Sequence, residues 1–394
     1  MRFSYHSFRF SILIGAVFIS GASQGMLLPL ISILLENSGT ASALNGLNAS
    51  ALYIGVLIAS PFIEKPTYKF GYKPMLIIGL ALVMVSIFLF PVWESFWFWF
   101  ALRLIVGIGD NMLHFAAQVW ITVTSKPEKK GRNIAFYGLA FSLGFAIGPI
   151  LARLLDFGLF FPFITAGSGC LIFWLCMWFL KNDYPEIYTT ESGYDTGSLS
   201  RYKKVLILGW AGLVATFAYG FLEATLNGNF PVLALRNGYD IDAISALLPT
   251  FVLGGLITQI PLGMLSDKFG RKRVILIMSF LGTLSFIGAS ITFNYFHGLL
   301  LTFLIAGMVI GSIYSMGMTY VSDLLPNTLL SLGNILAGMS FSVGSMIGPL
   351  IGGWLIKSLP AGGFFYGIAA VMFAVFLSCL FHKGSVKAAQ TNKV

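Results

Sequence analysis

The sequence predicts an all-α membrane protein: twelve transmembrane helices arranged as two pseudo-symmetric six-helix halves. Three observations carry that reading. Of 394 residues, 57% are hydrophobic and only 10% are charged, too few polar residues to clothe soluble domains. The apolar residues run for about twenty at a time, the length that crosses a bilayer as a helix, and lack the alternation of barrel strands. The later part of the chain also repeats the earlier part. Gly138, Phe141, Gly144, Gly148 and Pro149 recur as Gly338, Phe341, Gly344, Gly348 and Pro349, and Phe70-Gly71 recurs as Phe269-Gly270.

Hydropathy places the spans in order near 10–35, 47–63, 75–92, 97–124, 132–152, 160–180, 205–233, 244–265, 274–293, 298–322, 332–356 and 362–382. The first is too long for a signal-peptide core and no small-residue cleavage site follows it, so it reads as a retained span. Between the sixth and seventh lies the longest polar stretch, 181–204, rich in Asp, Glu, Ser, Thr and Gly. It cannot bury enough apolar surface to fold alone and reads as a linker. The chain then divides into an N-terminal half (1–180), a cytoplasmic linker (181–204) and a C-terminal half with a cytoplasmic tail (205–394).

Orientation follows from the cations. With the N-terminus inside, the cytoplasmic segments hold 20 of the 24 Lys and Arg residues, while Arg153, Arg236 and Lys357 fall on the other face and Arg103 within a span. That asymmetry places both termini in the cytoplasm and the protein in a plasma membrane as a multi-pass chain. The net charge of +9 is therefore a topology signal, and the cations are too scattered for a nucleic-acid face. Cys170, Cys176 and Cys379 sit inside spans as packing residues, with no metal or disulfide pattern. The Gly21-Ala-Ser-Gln-Gly25 match to a nucleophile elbow lies within a span and not at a strand-to-helix turn. No intramembrane catalytic constellation and no cofactor motif stands out, so an enzyme is not expected.

Gly263-Met-Leu-Ser-Asp267-Lys-Phe-Gly270-Arg271-Lys272, between spans eight and nine, resembles the loop signature of the major facilitator superfamily. The first copy keeps Lys69-Phe70-Gly71-Tyr72-Lys73 but has Tyr68 at the Asp position. Arg103 with Gly107 and Gly109 resembles the family's span-four motif. Gly144-x3-Gly148-Pro149 resembles the span-five motif of its exporters, ending in Ala152-Arg153 where a Gly pair is usual; span eleven has Gly344-x3-Gly348-Pro349-x2-Gly352-Gly353. The layout is most similar to the twelve-span drug:proton antiporter branch. The resemblance implies a monomer that works by alternating access, with spans one, four, seven and ten lining the cavity. It also implies a gating loop (Gly263, Asp267, Gly270, Arg271, Lys272) whose Asp267 clamps the start of span five near Arg132. The glycine and proline residues Gly144, Gly148, Pro149, Gly344, Gly348 and Pro349 suit close helix packing whatever else they do.

Ionisable residues inside a membrane are costly, so Arg103, Asp110, His114 and Glu223 are the candidate proton-coupling residues. On span four the spacing of Arg103, Gly107, Asp110 and His114 stacks them on one face. Asp110 is either a proton carrier or the compensating charge for Arg103. His114 is either a relay or a hydrogen-bonded packing residue, and Glu223 a proton carrier, a substrate ligand or a rim residue. Gln24, Asn111, Gln118, Asn227, Gln259 and Tyr314 are candidate cavity residues, with Tyr137, Trp120 and Phe217 as possible aromatic walls. The expected function is proton-coupled export of small amphipathic or cationic molecules. The alternatives are transport of a defined metabolite (sugar, amino acid or siderophore) and a non-transporting sensor. The partners are then a small-molecule substrate, protons and the lipid bilayer.

Overall fold

The computed structural model describes residues 5–185, 199–326, 329–360 and 362–382. Most of the expected linker (186–198) and the expected tail (383–394) lie outside the described residues. Among the described residues twelve helices are long and apolar enough to cross a membrane. In order they are Ser7–Asn37, Ser42–Phe62, Tyr72–Val92, Phe96–Thr124, Arg132–Phe157, Phe160–Met177, Ser200–Arg236, Ile241–Phe269, Arg271–Thr292, Phe296–Leu324, Leu332–Ser358 and Gly363–Phe381. They are called spans one to twelve below. Several exceed their apolar cores, because helical hydrogen bonding continues into the polar ends that hydropathy discards. Span five changes character at the Gly148-Pro149 pair: its α-helix ends at Ile147 and continues to Phe157 as a tighter 3₁₀ helix. Proline removes a backbone donor there and glycine weakens the α preference.

The internal repeat governs packing. Spans one and five meet at backbone contact, since a Cβ on Gly144 would lie 2.0 Å from the Phe18 carbonyl oxygen. Spans seven and eleven do the same, with 2.0 Å between a Gly344 Cβ and the Phe217 oxygen. Reciprocally, Gly21 abuts the Phe141 carbonyl and Gly220 abuts that of Phe341. Gly107 of span four lies against the Leu52 carbonyl of span two, as Gly307 of span ten lies against Phe251 of span eight. Without a hydrophobic drive between helices in lipid, such small-residue contacts let dispersion and weak hydrogen bonds hold the bundle. Two large hydrophobic cores result. One runs from Ile12 to Leu180 and takes in Ala224 of span seven; the other runs from Ala211 to Cys379.

The first six and last six spans are pinned to each other at the end away from the termini. Spans two and eleven touch there, with Gly46 against the Pro349 carbonyl and Gly353 against that of Ser42. Ser50 Oγ donates to the Met346 carbonyl at 2.6 Å, and Ser245 Oγ to that of Pro149 at 2.9 Å. Two ion pairs close the rim: Arg236 grips both carboxylate oxygens of Glu36 at 2.6 and 3.0 Å, and Arg153 meets Asp242 at 2.8 Å. Toward the termini, by contrast, no heavy atom lies within 4 Å of where a Cβ would sit on Gly138 or Gly338.

Each set of six helices is tied at the terminal end by the residue that follows its last span. Asp183 Oδ2 accepts from Arg9 Nη1 (2.7 Å) and Trp120 Nε1 (2.8 Å), and its carbonyl accepts from the Tyr72 amide (3.0 Å). Asn182 braces the adjoining turn, donating to the Phe70 carbonyl and accepting from the Lys73 amide. In the second set His382 takes this place. Its Nε2–H donates to the Leu208 carbonyl (3.1 Å), its Nδ1 accepts from Tyr320 Oη (3.1 Å), and its carbonyl accepts from Lys272 Nζ (2.7 Å). So the first, third and fourth spans of one set, and the seventh, ninth and tenth of the other, meet at one residue, the third and ninth through its backbone carbonyl. Both connecting loops turn at a glycine with positive φ, +85° at Gly71 and +90° at Gly270, a conformation that residues with a Cβ rarely adopt.

Candidate functional site

Asp110 is the central residue of span four and is 1% exposed. Ser20 Oγ of span one donates to its Oδ1 at 2.6 Å, and Gln24, one turn further on, lies beside the same carboxylate. Ser20 Oγ is also 3.0 Å from His114 Nε2, and His114 Nδ1 is 2.7 Å from Tyr137 Oη on span five. One donor–acceptor assignment of these contacts ends on an ionised carboxylate: Tyr137 donates to Nδ1, Nε2–H donates to Ser20, and Ser20 donates to Asp110. The reversed assignment ends on a protonated carboxyl, with Asp110 donating to Ser20, Ser20 to Nε2, and Nδ1–H to the tyrosine oxygen. The same heavy atoms therefore serve both protonation states without moving. Phe141, edge-on to the imidazole with ring centres 5.1 Å apart, fixes its plane.

Arg103, fully buried, is turned to another task. Its Nη2 donates to the carbonyls of Leu27 (2.8 Å) and Leu28 (3.1 Å), immediately before Pro29 interrupts span one. Its Nε and Nη1 have no hydrogen-bond partner, and among the described residues no ion pair joins Arg103 to Asp110. Seven residues along a helix are about 10 Å apart, too far for direct contact. The charge pair that the sequence left open is not formed. Backbone carbonyl dipoles compensate the guanidinium instead.

Across the bundle, half-buried Glu223 lies within electrostatic range of Tyr53, Tyr219 and Tyr314. Tyr219, Tyr314 and Phe341 form an aromatic cluster, with centroid separations of 6.1 Å (219–314), 5.0 Å (314–341) and 6.3 Å (219–341). Tyr53 of span two, in range of both Arg103 and Glu223, is buried with a hydroxyl that has no hydrogen-bond partner among the described residues.

The remaining sequence candidates divide. Asn111 is engaged in packing, donating to the Val56 carbonyl and Ser60 Oγ of span two. Asn227 is buried and donates to the Glu223 carbonyl of its own helix. Gln118 and Gln259 are exposed, and Phe217 is half-buried. Trp120 is no cavity wall, because it stacks on Tyr72 (5.5 Å) and donates to Asp183. Gly107 faces span two and not the span-one side that receives Arg103 and Asp110. The gating-loop Asp267 does not reach span five in this structure: it pairs with Arg271 (3.1 Å), which also grips Asp323 of span ten (2.7 Å). Ser20, Tyr53 and Tyr219 escaped the sequence reading, and Phe341 entered it only as a position of the internal repeat. Only Ser20, one turn before Gln24 on a cavity helix, carried a usable signal.

Comparison with known proteins adds the family. The pattern of the Major Facilitator Superfamily matches residues 13–214 and again 212–393. The chain belongs to the major facilitator superfamily. The uncharacterized MFS-type transporter YfkF of Bacillus subtilis (strain 168) is 46% identical over 376 residues, 95% of this chain and 96% of its own. The uncharacterized MFS-type transporter YcaD of Salmonella enteritidis PT4 is 23% identical, covering 86% of each. Among solved structures, the nucleoside transporter NupG aligns with TM-score 0.76 and 13% identity over 95% of this chain and 99% of its own. A D-xylose-proton symporter aligns with TM-score 0.76 and 17% identity over 97% and 98%. At such identities the structures speak for the fold. A major facilitator chain of twelve membrane helices is a multi-pass membrane transporter of small molecules, and its family is one of transporters and not of enzymes. Of the glycines that carried the resemblance, Gly107, Gly109, Gly144, Gly148, Gly344, Gly348 and Gly353 are contact points between helix backbones, whereas the loop glycines Gly263 and Gly270 have no heavy atom within 4 Å of where a Cβ would sit.

Proposed function

We propose that this transporter is proton-coupled, and that it exports small amphipathic or cationic molecules in the manner of the drug:proton antiporter branch. The observation that carries the reading is Asp110: a carboxylate at mid-membrane, with no cation partner, at the end of a hydrogen-bonded chain that is complete in either direction. Such a group takes up and releases a proton with little reorganisation. Protons are then the coupling partner, with Ser20, His114 and Tyr137 as the route and Glu223 as the second acid facing substrate. Arg103 holds the span-one carbonyls that precede Pro29. The lean to cationic substrates rests on the two acids and on the commitment of the Arg103 guanidinium to carbonyls.

The two six-helix halves, 1–180 and 205–394, rock as units about this site in a monomer whose termini are cytoplasmic and whose membrane is the plasma membrane. The contacts gathered at the far end correspond to a state open toward the termini. In the opposite state the released loop at Asp267 swings to the start of span five and closes the cytoplasmic side. A defined metabolite is the second reading: the solved neighbours include a nucleoside transporter and a D-xylose-proton symporter, and the free Tyr53 hydroxyl offers the kind of hydrogen bond a sugar uses.

The test is proton flux in proteoliposomes under an imposed pH gradient, with cationic dyes, sugars and amino acids offered in turn. Dye-driven proton movement supports export of cations, and sugar-driven movement supports the second reading. Binding without any flux overturns both and points to a sensor.

A further inference from the structure

Between spans two, three and four, near the end that carries the termini, the outer surface of the bundle holds a groove of about 510 Å³. Its lining is apolar throughout and includes Ile58, Phe62, Phe70, Ile78, Ile108 and Met112. Phe62 is 71% exposed and Phe70 51%, an expensive display of apolar surface unless hydrocarbon covers it. The mouth is basic. The lining residues Pro66, Phe70 and Pro74 each directly follow a lysine: Lys65, Lys69 and Lys73. Lys69 Nζ sits 5.2 Å from the centre of the Phe70 ring, at the rim itself. Lys73 Nζ is taken by the Trp178 carbonyl at 2.8 Å, whereas Lys65 and Lys69 are exposed and form no ion pair with a described residue.

We infer that this groove seats one acyl chain of an anionic phospholipid, with the headgroup phosphate held by Lys65 and Lys69. An acyl chain alone packs against any lipid-facing surface, and the groove by itself would not select among lipids. The paired cations at its mouth add the selection, because each lysine close to an anionic headgroup strengthens binding about fivefold. Ile108 and Met112 make the bound chain a neighbour of span four on either side of Asp110, so an occupied groove steadies the helix that carries the buried acid. The inference does not depend on the transported substrate or on the coupling ion.

The test is native mass spectrometry of the purified full chain with phosphatidylglycerol or phosphatidylcholine of identical acyl chains. Phosphatidylglycerol is expected to stay bound at voltages that strip phosphatidylcholine. Lys65→Gln with Lys69→Gln should lower phosphatidylglycerol retention about 25-fold and that of the net-neutral phosphatidylcholine far less. Ile78→Trp, which fills the groove from its 49%-exposed side, should lower retention of both lipids. Equal retention of the two lipids by the wild type, or a phosphatidylglycerol preference that survives the double lysine variant, overturns the proposal. Should the tryptophan variant misfold, the lysine pair decides alone.

Discussion

The first and last six spans share a scaffold and differ in what the scaffold carries. The backbone contacts at Gly144 and Gly344 and at Gly21 and Gly220 set the register between them. In that register Ser20 corresponds to Tyr219, His114 to Tyr314, Phe141 to Phe341, Asp110 to Ile310, Tyr137 to Ala337 and Gln24 to Glu223. The first set places a hydrogen-bonded chain around a carboxylate where the second places an aromatic cluster beside one. Equivalent positions on equivalent helices thus hold groups suited to protons on one side and groups suited to a flat or cationic molecule on the other. On the proposed function, the duplicated bundle divides coupling from recognition while its helix crossings stay fixed.

The largest effect that bears on this division is expected at its acids. Asp110→Asn should bring pH-gradient-driven flux to background while substrate binding persists, and Glu223→Gln should weaken binding more than coupling. If flux and calorimetry show the two effects exchanged, the division is wrong. Next comes the shared scaffold. Gly144→Val and Gly344→Val each drive a side chain into a carbonyl 2.0 Å from the new Cβ and should cost about 3 kcal/mol or block assembly. Gly138→Ala and Gly338→Ala, one turn or more away in open space, should leave thermal melting in detergent unchanged. Smaller effects belong to the ties after each sixth helix. His382→Phe removes two ring hydrogen bonds and should cost about 1 to 2 kcal/mol. Asp183→Asn removes the charge from the ion pair with Arg9 and should lower stability by about 1 kcal/mol. Smallest of all, Glu36→Gln breaks a rim ion pair worth about 1 kcal/mol or less. Distance measurements across spans one and seven should then show only a few-fold rise in the state open at that end.

Much of this was legible in the sequence, for identifiable reasons. Hydropathy finds spans because lipid forces every backbone group into a helix, and Arg103, Asp110 and His114 announce themselves because ionisable groups inside a membrane are rare. What those groups touch was hidden. Ser20 costs nothing in a helix, since a serine hydroxyl can bond its own backbone, so its place between Asp110 and His114 depends on how spans one and four are rotated against each other. The same holds for Tyr53 and Tyr219, two among 15 tyrosines. Gly107 shared a face with Asp110 by spacing, yet the width of that face lets it serve span two while its neighbours serve span one. Asp183 was hidden most deeply: it lies in what composition marks as linker, and its partners are more than 60 residues away in the chain.

The position of Asp183 also has a consequence for how the protein is made. Arg9 is made well before its anion, which follows the sixth helix, 174 residues later in the chain. Trp120 and the Tyr72 amide wait for the same residue. One late residue thus ties three earlier helices at this end of the bundle. The same order holds at His382, so each set of six helices is tied by a residue made after all the partners it holds.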